Sequence, residues 1–359
     1  MPTVYINGKF TTQRATGVQR VARELVMALD ALAPPGRWAL LTPPGSGVLP
    51  LQHIAQQPVG YRGLPWHLWE QTVLPWAARD GLLLSLAGSA PFLARRQAAL
   101  LHDAAVFDHP EAYTRSFVAW YRRLFRRLAL RAERLFTVSS FSQARLALAL
   151  AVPAQRFTVL PNGCDHMDAI VPDPTILERH GLVNRRFLLA VASANPTKNL
   201  PALLAAFAAL PGADGLRLVI VGGSNTRVFS DTAGATDPPG VIRTGTLDDA
   251  PLKALYGAAA ALVFPSLYEG FGLPPLEAMA CGCPVAAARA ASLPEVCGDA
   301  ARYFDPSSVP AITAALRDVL HDAALRQCLQ AAGRERAAAH RWSRPAAGLL
   351  AALGGGDYA

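Results

Sequence analysis

Apolar residues recur along this chain in two alternating periods. Short apolar runs of strand length stand at Val4–Ile6, Trp38–Leu41, Leu82–Leu84, Ala98–Leu101, Leu135–Val138 and Arg156–Leu160. Between them lie helical spacings. Val18, Val21, Ala22, Leu25, Val26, Leu29 and Leu32 follow a start at Thr16-Gly17, and a long pattern covers Tyr113–Arg134. Asn7–Thr16 reads as a polar loop, Pro43–Pro50 as a Pro/Gly-rich loop and Pro161-Asn162-Gly163 as a turn. The second half alternates more regularly, with strands predicted at Phe187–Ala192, Leu216–Val221, Ala260–Phe264 and Pro284–Ala288. Its helices are predicted at Leu200–Leu210, Asp249–Ala258 and Pro274–Ala280, and the tail from Val309 is helical throughout. This alternation predicts an α/β protein whose parallel, doubly wound sheets carry helices on both faces.

The chain has 359 residues, enough for two domains of ordinary size. Cys164–Pro174 holds three Asp and two Pro without periodicity and reads as the linker, so domains are expected over 1–170 and 171–340. Hydrophobic residues at 52% and charged residues at 17% exclude a disordered chain. A formal net charge of +8 favours anionic partners without choosing among phosphates, nucleic acid and an acidic membrane surface. The five cysteines follow no metal spacing, so neither a disulfide scaffold nor a zinc site is expected, and a reducing, cytoplasmic compartment fits. The N-terminus carries no signal-peptide pattern, and no apolar run reaches the length of a membrane span; Ala254–Phe264 has the size of a buried element.

In sheets of this kind ligands bind at the carboxyl ends of strands, near helix N-termini. The stretch Phe264–Cys283, FPSLYEGFGLPPLEAMACGC, has that placement. Gly270 and Gly272 allow close approach of the backbone to a ligand, and Pro274 and Pro275 suit a first helical turn. The helix start attracts phosphate, and Glu277 stands one turn in, where a carboxylate accepts hydrogen bonds from a sugar diol. On spacing alone, Glu277 reads equally well as a complement to the helix dipole and Glu269 as a solvated loop residue. Lys198 follows a predicted strand in a chain with three lysines (Lys9, Lys198, Lys253) against 31 arginines, and a compact point charge suits a phosphate. His102-Asp103 stands directly after an apolar run; a lone His there is commonly structural. Ser139-Ser140 has no paired His and acid, no D-x-D occurs, and Gly222-Gly223 is not followed by a dinucleotide fingerprint.

The seven residues between Glu269 and Glu277 resemble the E-x7-E signature of retaining glycosyltransferases of the GT-B class, family 4. Other segments agree in order: TGVQRVARELVMAL (16–29), LLHDAAVFDHPEAY (100–113), FTVSSFSQARL (136–146), VLPNGCD (159–165), ASANPTKNL (192–200) and SLPEVCGDAARYFDP (292–306). The resemblance implies two Rossmann-like doubly wound domains facing across a cleft, with a final helix over 341–359 crossing back to the N-terminal domain. It implies hexose transfer, with mannose from GDP-mannose as the first expectation, to a hydroxyl of a glycan or lipid-diphosphate-linked acceptor in surface polysaccharide assembly. Glu277 would hold the donor ribose, Glu269 would sit near the transferred sugar, and Lys198 would neutralise the diphosphate. Amides of Gly270, Phe271, Gly272 and Leu273 would contact sugar or diphosphate. His102 would face the donor sugar, Gly17 would lie near the diphosphate, and Asp103 joins the substrate-binding set. No metal and no cofactor are expected beyond the nucleotide sugar.

Many family members carry an arginine five or six residues before the lysine; here Ala192 and Ser193 stand there, leaving Arg185, Arg186 or Arg227 as substitutes. That departure keeps open a non-catalytic nucleotide-sugar-binding subunit; a sugar-nucleotide epimerase of the same fold is the other alternative. The basic pattern 115–134, seven arginines interleaved with aromatic and aliphatic residues, suits either a solvated face or peripheral contact with the inner membrane face. Nucleic acid is not expected as a partner.

Overall fold

The computed structural model describes residues 4–13, 17–193, 195–210, 215–223 and 237–354. These form two compact units. The first comprises residues 1–107, 119–163 and 341–359; the second comprises 108–118 and 164–340.

The first unit holds a seven-stranded, all-parallel sheet in the order β3-β2-β1-β4-β5-β6-β7. Its strands are β1 (Val4–Asn7), β2 (Trp38–Thr42), β3 (Ala55–Pro58), β4 (Leu82–Ser85), β5 (Gln97–Leu100), β6 (Arg134–Thr137) and β7 (Phe157–Val159). The chain's early helices are α1 (Gly17–Asp30), α2 (Trp66–Ala77), α3 (Ala105–Asp108), α4 (Arg115–Arg131) and α5 (Ser140–Leu150). β1, β2, β4 and β5 are buried along their whole length, as near-continuous apolar runs covered on both faces require.

The second unit holds a six-stranded, all-parallel sheet in the order β10-β9-β8-β11-β12-β13. Its strands are β8 (Phe187–Val191), β9 (Arg217–Val221), β10 (Val241–Gly245), β11 (Ala261–Phe264), β12 (Val285–Ala288) and β13 (Ala301–Phe304). Its helices are α6 (Thr175–Arg179), α7 (Leu200–Ala208), α8 (Asp249–Ala258), α9 (Leu273–Ala280), α10 (Leu293–Cys297), α11 (Val309–His321) and α12 (Ala323–Ala338). The last helix, α13 (Ser343–Gly354), groups with the first unit and packs against α1. In each sheet the strand order reverses once, between β1 and β4 and between β8 and β11. Those two switch points are where doubly wound sheets receive ligands.

Several expectations change. Within the predicted loop Asn7–Thr16, Gly8–Thr12 is a 3-10 turn with Lys9 and Phe10 buried, and residues 14–16 lie outside the described residues. Short local bonds build it: Asn7 Oδ1 accepts from the Lys9 amide, and Thr11 and Thr12 hydroxyls donate to Gly8 and Lys9 carbonyls at 2.8 Å. The apolar run Ala254–Phe264 is divided between the end of α8 and β11. The 113–134 pattern is α4, and Arg134 already opens β6. The linker Cys164–Pro174 contains a 3-10 turn, Asp165–Ala169, fastened to the second unit.

Candidate functional site

The second unit's switch point lies between the loops that follow β8 and β11, which pair at Ala261↔Leu188 and Leu262↔Leu189. Lys198 closes a short 3-10 turn, Pro196–Lys198, after β8. Asn195 starts that turn, its Oδ1 accepting from the amide and hydroxyl of Thr197 at 2.9 Å. Asn199 ends it in the left-handed region, at φ 56°, with Nδ2 donating to the Pro306 carbonyl at 2.8 Å. The Leu267 amide donates to the Thr197 carbonyl at 2.8 Å, so the two loops are stitched together. The result brings Lys198 Nζ within 2.6 Å of Glu269 Oε1, the side chains 22% and 13% exposed. A cation and a carboxylate therefore share the switch point while remaining reachable from solvent.

Glu269 leads into a turn that needs glycine. Gly272 sits at φ 105°, and a Cβ there would lie 2.7 Å from Leu293 Cδ2. The hydroxyl of buried Ser292 backs the turn, 2.9 Å from the Glu269 carbonyl and 2.8 Å from that of Phe271. Gly272 is the N-cap of α9 and supplies no side-chain cap, and Pro274 and Pro275 follow in the first turn. Because proline has no N–H, the donors for an anion at this helix start are the amides of the Gly270–Leu273 loop. Glu277, on the first buried turns of α9, is 5% exposed. Its Oε1 lies 3.1 Å from His166 Nε2 and its Oε2 3.1 Å from the Tyr256 hydroxyl. Burial, then the Glu277 charge, push the Tyr256 phenol well above its ordinary pKa, so it stays protonated and donates.

The remaining expected residues stand in the first unit. His102 follows β5, half-buried, with Nε2 2.9 Å from the Leu86 carbonyl. Burial pushes its pKa down to about 4 against the donated bond, so the imidazole is neutral, carries its proton on Nε2 and keeps Nδ1 as an acceptor. Asp103 Oδ1 accepts from the Ala105 amide at 2.8 Å, at the start of α3. Gly17 opens α1 with open space around it. Gly88, in the loop after β4, joins the two: a Cβ there would lie 3.6 Å from His102 Cδ2 and 3.9 Å from Val18 Cγ1.

Reading the sequence alone missed four partners: His166, Tyr256, Ser292 and Gly88. Ser292 opens the segment 292–306 but was given no role, and no motif marks the other three, whose partners stand 14 or more residues away in sequence. Of the three substitutes it offered for the arginine, two stand away from Lys198. Arg185 and Arg186 precede β8, at the end of that strand opposite Lys198, about 16 Å away for a five-residue strand. The Arg186 guanidinium is spent on the Leu320 carbonyl. Arg227 lies outside the described residues.

The first unit's switch point holds a second lysine–glutamate pair. Lys9 Nζ lies 2.6 Å from Glu70 Oε2, with both side chains almost inaccessible at 4% and 2% exposed. Asn7 Nδ2 and the Ser89 hydroxyl each donate to Glu70 Oε1 at 2.8 Å.

Residues 173–336 match the family model described as glycosyl transferases group 1. O-antigen chain mannosyltransferase B of Escherichia coli is 33% identical over 261 residues, covering 70% of this chain and 68% of the relative. The GDP-mannose-dependent alpha-(1-6)-phosphatidylinositol monomannoside mannosyltransferase of Mycolicibacterium smegmatis is 30% identical over 283 residues, covering 73% and 72%. Among solved structures, sucrose-phosphate synthase from Thermosynechococcus elongatus superposes with a TM-score of 0.73 at 20% identity, covering 97% of each chain. That last likeness is one of fold.

Proposed function

Because the chain belongs to the group 1 glycosyltransferases, we propose that it moves mannose from GDP-mannose to a hydroxyl of a glycan or lipid-linked acceptor, with retained anomeric configuration. The observation that carries this reading is the Lys198–Glu269 pair beside the amide-lined turn Gly270–Leu273 at the switch point. Cleavage of the bond between the sugar and the diphosphate leaves negative charge on the leaving oxygen. Lys198 and the loop amides are the groups suited to stabilise it. The acceptor hydroxyl attacks C1 on the face the diphosphate leaves, and its proton passes to a phosphate oxygen. Glu277 takes the ribose, His102 the hexose through its acceptor nitrogen, and Gly17 and Asp103 complete the substrate contacts. These last assignments rest on the family resemblance, and mannose and its donor on the names of the relatives. No metal is required in this reading.

The test is slow hydrolysis of GDP-mannose without acceptor, followed by transfer to candidate acceptors. Lys198→Ala is expected to lower the rate by about 10²–10³, the usual effect of losing a charge-stabilising group, and Glu269→Ala to lower it as well, since Lys198 loses the carboxylate that holds it. Binding without turnover across acceptors sinks the enzyme in favour of a binding subunit, which the small residues Ala192 and Ser193 favour. An isomerised nucleotide sugar points to an epimerase.

We also assign α4 a peripheral contact with an anionic membrane surface. Arg123, Arg126 and Arg131 face outward together with Trp120, 40% exposed, and Leu130, 79% exposed. Arg122 and Arg127 instead turn inward to backbone carbonyls of Val106, Phe107 and Phe92.

A further inference from the structure

We propose that His166 and Tyr256 are positioning residues that fix the plane of the Glu277 carboxylate for the ribose diol of the donor nucleotide. The proposal rests on the reading of Glu277 as the ribose partner and deepens it.

A carboxylate held by one donor swings about its terminal torsion; one held at both oxygens from different directions does not. Glu277 has that second arrangement, with His166 on Oε1 and Tyr256 on Oε2. The two donors come from different elements, the 3-10 turn Asp165–Ala169 and α8, and those elements are locked to each other. Lys253 on α8 donates from Nζ to the carbonyls of Met167 at 2.6 Å and Ile170 at 2.7 Å. The Asp173 amide donates to the Ala250 carbonyl at 2.9 Å, and the Cys164 amide to the His340 carbonyl at 2.9 Å. The turn that carries His166 is thus tied down before, within and beyond it. His166 and Glu277 side chains are 4% and 6% exposed, so both are shielded from water that would compete for these bonds. Burying a histidine, a phenol and a carboxylate together is costly unless they hydrogen-bond to one another, as these three do.

The test compares binding of GDP and 2′-deoxy-GDP by calorimetry at fixed pH and salt. The wild type is expected to prefer GDP by about tenfold or more, because a site built for a hydroxyl rejects the analogue lacking it. His166→Ala and Tyr256→Phe are expected to shrink that preference about fivefold while 2′-deoxy-GDP binding stays within about twofold. His166→Gln, which keeps a donor, is expected to restore part of it. A merely structural role would weaken both nucleotides equally. That result, or an undiminished preference in both variants, overturns the proposal. Tyr256→Phe removes one oxygen and keeps the test open should the histidine variant misfold. Glu277→Gln separates the two levels. If it abolishes the preference while the other variants keep it, only the positioning role falls. If it leaves the preference intact, or if the wild type binds no GDP, the ribose reading falls with it.

Discussion

An alanine at Gly272 must adopt φ 105° and push its Cβ against Leu293. Leu293 Cδ2 is the end of a flexible side chain, so the cost is mainly backbone strain, about 1–3 kcal/mol. Gly272→Ala is expected to fold with that penalty in denaturant titration and to lose donor hydrolysis, because the loop amides shift. Gly222 is less forgiving. Its φ is 146°, and a Cβ would stand 1.8 Å from the Ala192 carbonyl oxygen, which is backbone and cannot yield. Gly222→Ala is expected to destabilise by about 3 kcal/mol or more, read as the same kind of midpoint shift. His102 gives a pH signature. Its folded pKa of about 4 lies below the ordinary 6.5, so its neutral form contributes stability in full above pH 6.5. That contribution drains away as pH falls towards 4, by about 2–3 kcal/mol, because the unfolded chain takes the proton first. Unfolding midpoints measured from pH 7 to pH 4 are expected to fall more steeply for the wild type than for His102→Gln. The glutamates, Lys198 and the glycines are legible in the sequence because a motif fixes their spacing. His166 and Tyr256 are not, since a lone histidine in a linker and a tyrosine in an apolar helix carry no pattern.

Each sheet carries a lysine–glutamate pair at its switch point, and the elements around the two pairs differ. In the second unit two loops meet, and the pair remains accessible. In the first, α2 lays Glu70 over the end of β1, where Asn7, Lys9 and Ser89 close around it. Such a pair is costly to break and cheap to replace whole. Lys9→Met is expected to lower stability by about 3–5 kcal/mol, and Lys9→Met with Glu70→Leu to recover only part of it, because Asn7 and Ser89 lose their acceptor; chemical denaturation decides. α2 itself is invisible to apolar periodicity, because TrpHisLeuTrp and an internal Pro75 blur its faces. The edge strands β3 and β10 escape for a related reason. β3 is largely exposed and β10 only half-buried, so their sequences lack the continuous apolar run that marks β1 or β8. Central strands are legible because both of their faces are buried.

On the scale of the whole molecule, the net charge is +8, and α4 contributes Arg123, Arg126 and Arg131 to the exposed surface. Vesicles with anionic lipid are expected to retain the protein at low salt and release it as salt rises, and Arg123→Glu with Arg126→Glu is expected to abolish retention in a flotation assay. Among the described residues no helix is long and apolar enough to cross a membrane. Primary amines follow the opposite distribution from the guanidinium groups. All three lysines are engaged: Lys9 in a sealed ion pair, Lys253 on two carbonyls, and Lys198 in an ion pair with Glu269 that stays open to solvent. Lys198 is also the lysine proposed to hold the donor diphosphate, and its side chain is 22% exposed, so an amine-acylating reagent applied to the native protein can reach it. Mass spectrometry after brief acylation turns that scarcity into a footprint of the pyrophosphate, with modification at residue 198 suppressed whenever a nucleotide sugar is bound.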